Sequence, residues 1–139
     1  MYNIPILYIT FNRLDTVKKT FEGIRAIKPK DLYLASDGPR QNKPHEEELV
    51  AQVRKYITDN IDWECNIHKL SRSENLGCKY GPAGAIKWFF SQVECGVVLE
   101  DDILATESFF HYCDLLLHEY KNRDDIGFIC GCTMSDHVS

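Results

Sequence analysis

Five short runs rich in β-branched and aromatic residues recur along the chain: PILYIT (5–10), DLYLASDG (31–38), ECNIHKLS (64–71), CGVVLEDD (95–102) and IGFICGC (126–132). Between them the apolar residues fall at helical spacing. Leu14, Val17, Phe21, Ile24 and Ile27 make one stripe before Pro29, and Leu49, Val50, Val53 and Ile57 make a second. Pro44 and the acids Glu46, Glu47 and Glu48 predict the start of that second helix, since a first-turn proline lacks only an orphan N–H and acids favour the positive end of the dipole. Pro82 is expected to open a third helix carrying Ala85, Ile86, Phe89, Phe90 and Val93, after a loop loosened by Gly77 and Gly81. Thr106 is expected to cap a fourth, bearing Phe109, Phe110, Cys113, Leu116, Leu117 and Tyr120. The order β-α-β-α-β-α-β-α-β predicts an α/β fold: a mostly parallel, Rossmann-like sheet with helices on both faces and right-handed crossovers. All 139 residues fit one domain.

Sheets of this kind bind ligands at the carboxyl ends of their strands, where the strand order reverses. Thr10-Phe11-Asn12-Arg13 follows the first strand, Ser36-Asp37-Gly38 the second and Glu100-Asp101-Asp102 the fourth. Neither G-x-G-x-x-G nor a Walker A loop follows strand one, so a phosphate bound here must be met by other means. The apolar Val97-Val98-Leu99 run ends on three adjacent carboxylates. Two like charges ~4 Å apart repel by roughly 4 kcal/mol at an effective dielectric near 20. Water offsets that repulsion on a solvated turn, and a divalent cation offsets it in a site. Mg²⁺ or Mn²⁺ takes hard oxygens, commonly one or two carboxylates with phosphate oxygens and waters. If the strand stays extended, Glu100 and Asp102 point to one side and Asp101 to the other.

The net charge of −5 argues against nucleic acid or an anionic membrane as main partner. The N-terminal apolar run has no basic flank and is too short for a signal core or a membrane span. Six cysteines without a C-x-x-C pair predict reduced thiols and a cytoplasmic protein.

ITFNR at strand one, ASDG at strand two, ENLGCKYG before the third helix and VVLEDD at strand four together resemble the nucleotide-binding part of GT-A glycosyltransferases of the family-2-like type. VVLEDDILATESFF is similar to the acid motif and following helix of N-acetylglucosaminyltransferases acting on glycoprotein mannose. The resemblance implies a nucleoside-diphosphate sugar as donor, a uridine one favoured, with a glycan or other hydroxyl as acceptor and Mn²⁺ or Mg²⁺ as cofactor. It implies that Thr10, Asn12 and Arg13 line the base and ribose pocket and that Asp37 accepts from the base. It further implies that Asp102 ligates the metal, with Glu100 and Asp101 near the sugar, ribose or metal waters. Asn75 and Gly77 match the loop that approaches the nucleotide, and Lys79 is placed to reach a phosphate. Each has a plainer role as well: Asp37 in its own turn, Arg13 paired with Asp15, Lys79 on the surface. Inverting transfer also needs a base, which the family carries beyond strand five. The chain is therefore expected to be the donor-binding half of a longer transferase, incomplete for turnover, with Asp136 and His137 the base candidates it offers itself. A sugar-nucleotide binder without catalysis is the alternative from another class. So is a receiver-like phosphoacceptor domain, which wants its acid pair after strand one and a lysine after strand five.

Overall fold

The first apolar run forms strand β1 (Ile6–Thr10), and the stripe after it forms helix α1 (Leu14–Ile27), in a computed structural model that describes residues 2–131. Strands β2 (Asp31–Ser36), β3 (Asn66–Ser71) and β4 (Val97–Glu100) alternate with helices α2 (Glu46–Asp59), α3 (Gly77–Phe90) and α4 (Glu107–Glu119). All pairings are parallel and the sheet order is β3-β2-β1-β4. Thr10, Ser36 and Ser71 lie level in the ladder, and Ile9 pairs with Glu100. Three strands thus end together, with the first acid of the triplet one step behind Thr10.

Strand alternation sorts the core into two layers. Ile6, Tyr8 and Leu32 face α1, α2 and α4 through Val17, Phe21, Ile24, Val53, Ile57 and Phe110. Leu7, Tyr33 and Ala35 face Ala85 and Phe89 of α3. Helices therefore cover both faces, as the alternating pattern predicts. Burying a side chain such as Phe21 or Phe89 stabilises the fold by ~2–3 kcal/mol relative to leaving it in water. No helix among the described residues is long and apolar enough to cross a membrane.

The ends of the helices show what local sequence does and does not decide. Lys28 takes the left-handed conformation after α1, its N–H returning to the Ile24 carbonyl, and buried Pro29 prevents continuation. The Thr106 hydroxyl accepts from the Phe109 N–H and caps α4 as expected. Helix α2 starts at Glu46, two residues after Pro44, with His45 left-handed at φ 66°. Pro82 does not open α3. It lies inside the helix, which begins at Gly77 because the distant Asp37 carboxylate accepts the N–H groups of Leu76 and Gly77 at 3.0–3.1 Å. This cap from the residue after β2 satisfies two of the orphan donors at the helix start and moves it ahead of the proline.

The expected fifth strand is absent from 126–131. That segment is irregular, Phe128 is 87% exposed, and β4 has only β1 as a partner among the described residues. A run interrupted by Gly127 and Gly131 gains little from side-chain packing and pays extra backbone entropy, so without a ladder to join it does not become a strand. Cys132, Asp136 and His137 lie outside the described residues.

Candidate active site at the carboxyl ends of the strands

From β1 the chain crosses to β2 on one side, while β4 lies on the other, so the sheet reverses its winding between β1 and β4. A crevice at such a point receives the segments that follow both strands. Here they are Phe11-Asn12-Arg13 and Asp101-Asp102. The strand ends at Glu100 and the Ile103 N–H returns to the Glu100 carbonyl at 3.1 Å, so a turn, not an extended strand, separates the three acids. The side-to-side alternation expected for them therefore does not extend past Glu100.

Asp101 is 3% exposed. Its carboxylate accepts the Phe11 N–H at 3.2 Å and the Arg13 guanidinium. Its carbonyl accepts the Thr20 hydroxyl of α1 at 3.0 Å, and that hydroxyl lies 2.7 Å from the Tyr8 hydroxyl. The buried acid thus ties the end of β4 to the end of β1 and to α1. A buried charge requires such partners, because desolvation without them costs several kcal/mol. Arg13 also reaches the Asp102 carboxylate at 3.2 Å. Asp101 and Asp102 hold the Arg13 guanidinium above its ordinary pKa, the hydrogen bond to Asp101 being the main cause. One guanidinium meets two of the three carboxylates, and the two exposed negative charges stay on the rim. They sit on Asp102, whose side chain is 48% exposed, and on exposed Glu100.

A second buried carboxylate stands on the other side of the β1–α1 connection. Glu46, 4% exposed, accepts the Arg40 backbone N–H at 2.7 Å, the Arg40 Nε at 3.0 Å and its terminal nitrogen, and the Asn12 amide at 3.0 Å. The Arg40 guanidinium sits over the Phe11 ring, 5.6 Å from its centroid. In the sequence Glu46 reads only as an acid at a helix start, and Thr20 does not stand out at all. Nothing local marks either residue, since their partners lie on other elements. The Arg40 side-chain hydrogen bonds hold the Glu46 carboxyl at about 2, down from 4.5 and against the opposing effect of burial, with the Arg40 N–H and charge and the Asn12 amide adding to them. A carboxyl lowered on folding stabilises fully above its unfolded pKa, and that contribution is lost as pH falls toward the folded value. The melting temperature will therefore fall between about pH 4.5 and pH 2, and Glu46→Gln will flatten that part of the profile in calorimetric scans.

The remaining expected residues cluster at the ends of β2 and β3. The Asp37 N–H donates to the Thr10 carbonyl at 3.3 Å, so this cluster adjoins the first. The Asp37 carboxylate serves as the α3 cap, a role that neither reading of the sequence gives it. The Asn75 amide donates to the Gly38 carbonyl at 2.9 Å, and Gly77, at φ 74°, turns its N–H to Asp37. Gly38 has no room for a side chain, since a Cβ there would lie 2.5 Å from the Glu74 backbone. An open groove of about 810 Å³ runs between the β2–α2 connection (Pro39–His45) and Ser73–Asn75. Thr10 is buried, its hydroxyl donating to the Ala35 carbonyl at 3.4 Å, and so supports the rim from beneath. Lys79 lies in the first turn of α3 with its ammonium 5.3 Å from the Tyr80 ring centroid.

Among the described residues no group of three or more His, Cys, Asp or Glu side chains is gathered to hold a metal unaided. The donor set suits a different mode of binding. Asp101 is fully engaged, whereas Glu100 and Asp102, two residues apart at the turn, are both exposed. Mg²⁺ and Mn²⁺ commonly use one or two such groups and take their other oxygens from phosphate and water. Comparison of the chain with protein-family models, curated proteins and solved structures gives no match.

Proposed function

We propose that this chain binds a nucleoside-diphosphate sugar, a uridine one by preference, in the crevice between the ends of β1 and β4. It would serve there as the donor domain of a metal-dependent glycosyltransferase acting on an acceptor hydroxyl. The observation that carries this reading is the placement of the acid cluster. Asp101 is locked to Phe11 and Arg13 at the reversal of the sheet, and this leaves Glu100 and the Arg13-bound Asp102 exposed on the rim. A solvated acidic turn needs no buried, doubly bonded Asp101 to orient it.

Asp102 and Glu100 would hold Mn²⁺ or Mg²⁺ together with the diphosphate. When bound, such a cation would supply Lewis-acid stabilisation of the charge that develops on the leaving diphosphate. Arg13 shares its charge between Asp101 and Asp102, keeping the cluster near the carboxyl end of β1. Phe11 and Asn12 offer an aromatic face and an amide for the nucleoside, and the groove beside Asn75 continues the same rim.

Calorimetric titration with uridine diphosphate tests this directly. In the wild type, Mn²⁺ will tighten binding at least about ten-fold, a gain of ~1.4 kcal/mol. In Asp102→Ala that gain will disappear. Affinity that ignores the cation, or a gain that survives in Asp102→Ala, would contradict the proposal.

A further inference from the structure

Asn12 stands at the crevice with its two amide atoms in different circumstances. Glu46, clamped by Arg40 through backbone and side chain, is ionised and can only accept, so the atom facing it must be the Asn12 nitrogen. The amide cannot turn over without setting its carbonyl against a buried carboxylate. Its Oδ1 takes no hydrogen bond among the described residues. The same carboxylate holds Arg40 over Phe11, so one buried group on α2 orders both neighbours of the β1 end.

The geometry points to Glu46 as a positioning residue of this crevice. By fixing the Asn12 amide it leaves an acceptor oxygen for the ligand, so the nucleotide binds here through a donor of its own, an N–H of the base or a hydroxyl of the ribose. This inference rests on the donor-site reading above and adds to it the polarity of one subsite. Both Glu46 oxygens also take Arg40, one the guanidinium and the other the backbone N–H, so in Glu46→Gln the new NH₂ faces an Arg40 donor in either orientation and the arrangement that holds Asn12 is lost. The Asn12 amide is then no longer fixed with its acceptor oxygen toward the ligand.

Uridine diphosphate binding by the wild type, Glu46→Gln, Asn12→Asp and the double variant Asn12→Asp/Glu46→Gln tests the assignment. Asn12→Asp sets two carboxylates against each other, and the double variant restores the donor–acceptor pair with its roles exchanged while still leaving an acceptor oxygen outward. Both single variants will bind about ten-fold more weakly or worse, the loss expected when a ligand hydrogen bond is broken and its donor left unpaired, and the double variant will regain most of it. Without nucleotide, the ¹⁵N signal of the Asn12 side-chain amide will move in Glu46→Gln, a change that a loss of stability alone does not produce. On the ligand side, loss of affinity with N3-methyluridine diphosphate assigns the donor to the base, and loss with the dideoxyribose analogue assigns it to the sugar. Retention with both would overturn the inference.

Unchanged affinity in Glu46→Gln, or a double variant no tighter than Asn12→Asp, would also overturn it. Should Glu46→Gln fail to fold by circular dichroism, the comparison of Asn12→Asp with the double variant decides alone. A wild type that binds no nucleoside diphosphate at all defeats the donor-site reading itself, and this inference with it.

Discussion

Replacing Gly23 by alanine will lower the melting temperature by roughly 7 °C, even though alanine is the better helix former. Gly23 lies in α1 where the β4–α4 connection crosses it, and an added Cβ would sit 2.2 Å from the Ala105 carbonyl oxygen and 3.3 Å from its carbon. The obstacle is backbone, so no rotamer change relieves it. Overpacking of this kind costs up to ~3 kcal/mol, and the gain in helix propensity returns only ~1, leaving a net loss of about 2 kcal/mol. Ala105 is itself buried and follows the acid turn by three residues, so relief of the clash displaces the turn that carries Asp101 and Asp102. Thermal melts by circular dichroism measure the effect. A melting temperature equal to the wild type would mean that α1 and the connection are not in contact.

Asp101→Ala will cost about 3 kcal/mol, since removing one partner of a buried pair leaves the others unsatisfied. The side chain lost is almost wholly buried, and the Phe11 N–H and Arg13 are left behind. Arg13 is half exposed and rehydrates, which holds the loss to the lower end for buried ion pairs. Asp101→Asn keeps one acceptor oxygen and will fall between the two. Urea unfolding measures all three proteins, with an unchanged slope showing that the folded state is otherwise the same. A loss in Asp101→Ala no larger than that in Asp102→Ala would contradict the division of labour between them, in which Asp101 holds the crevice together and Asp102 faces its ligand.

The parts of this fold that were legible in the sequence are those whose cause is local or periodic. Tyr8 and Phe21 announce their elements through alternation and helical spacing, and both are buried where those patterns place them. The gathering of Asn12, Arg13 and Asp102 at one rim followed from topology alone, because strands of a parallel sheet end on the same side. What stayed hidden depends on partners far along the chain. Pro82 looked like a helix start until Asp37, forty residues before Gly77, proved to cap α3. The run at 126–131 has the composition of a strand, yet composition does not supply a neighbouring ladder. Glu46 resembled its solvated neighbours Glu47 and Glu48, and only the fold reveals that it alone is turned inward against Arg40 and Asn12. Arg13 illustrates both sides. Its position was legible, and its partner was not, since it pairs with Asp101 and Asp102 after β4 and not with Asp15 two residues on.

The position of a divalent cation in the presence of nucleotide tests the crevice most directly. Substoichiometric Mn²⁺, added to ¹⁵N-labelled protein with uridine diphosphate, broadens amide signals nearest the ion first. The signals of Phe11, Asn12 and Arg13 and of Glu100 to Ile103 will vanish before the rest, and Asp102→Ala will abolish that selectivity. Uniform broadening, or a centre elsewhere such as Asp124 and Asp125, would contradict a nucleotide–cation site at the junction of β1 and β4.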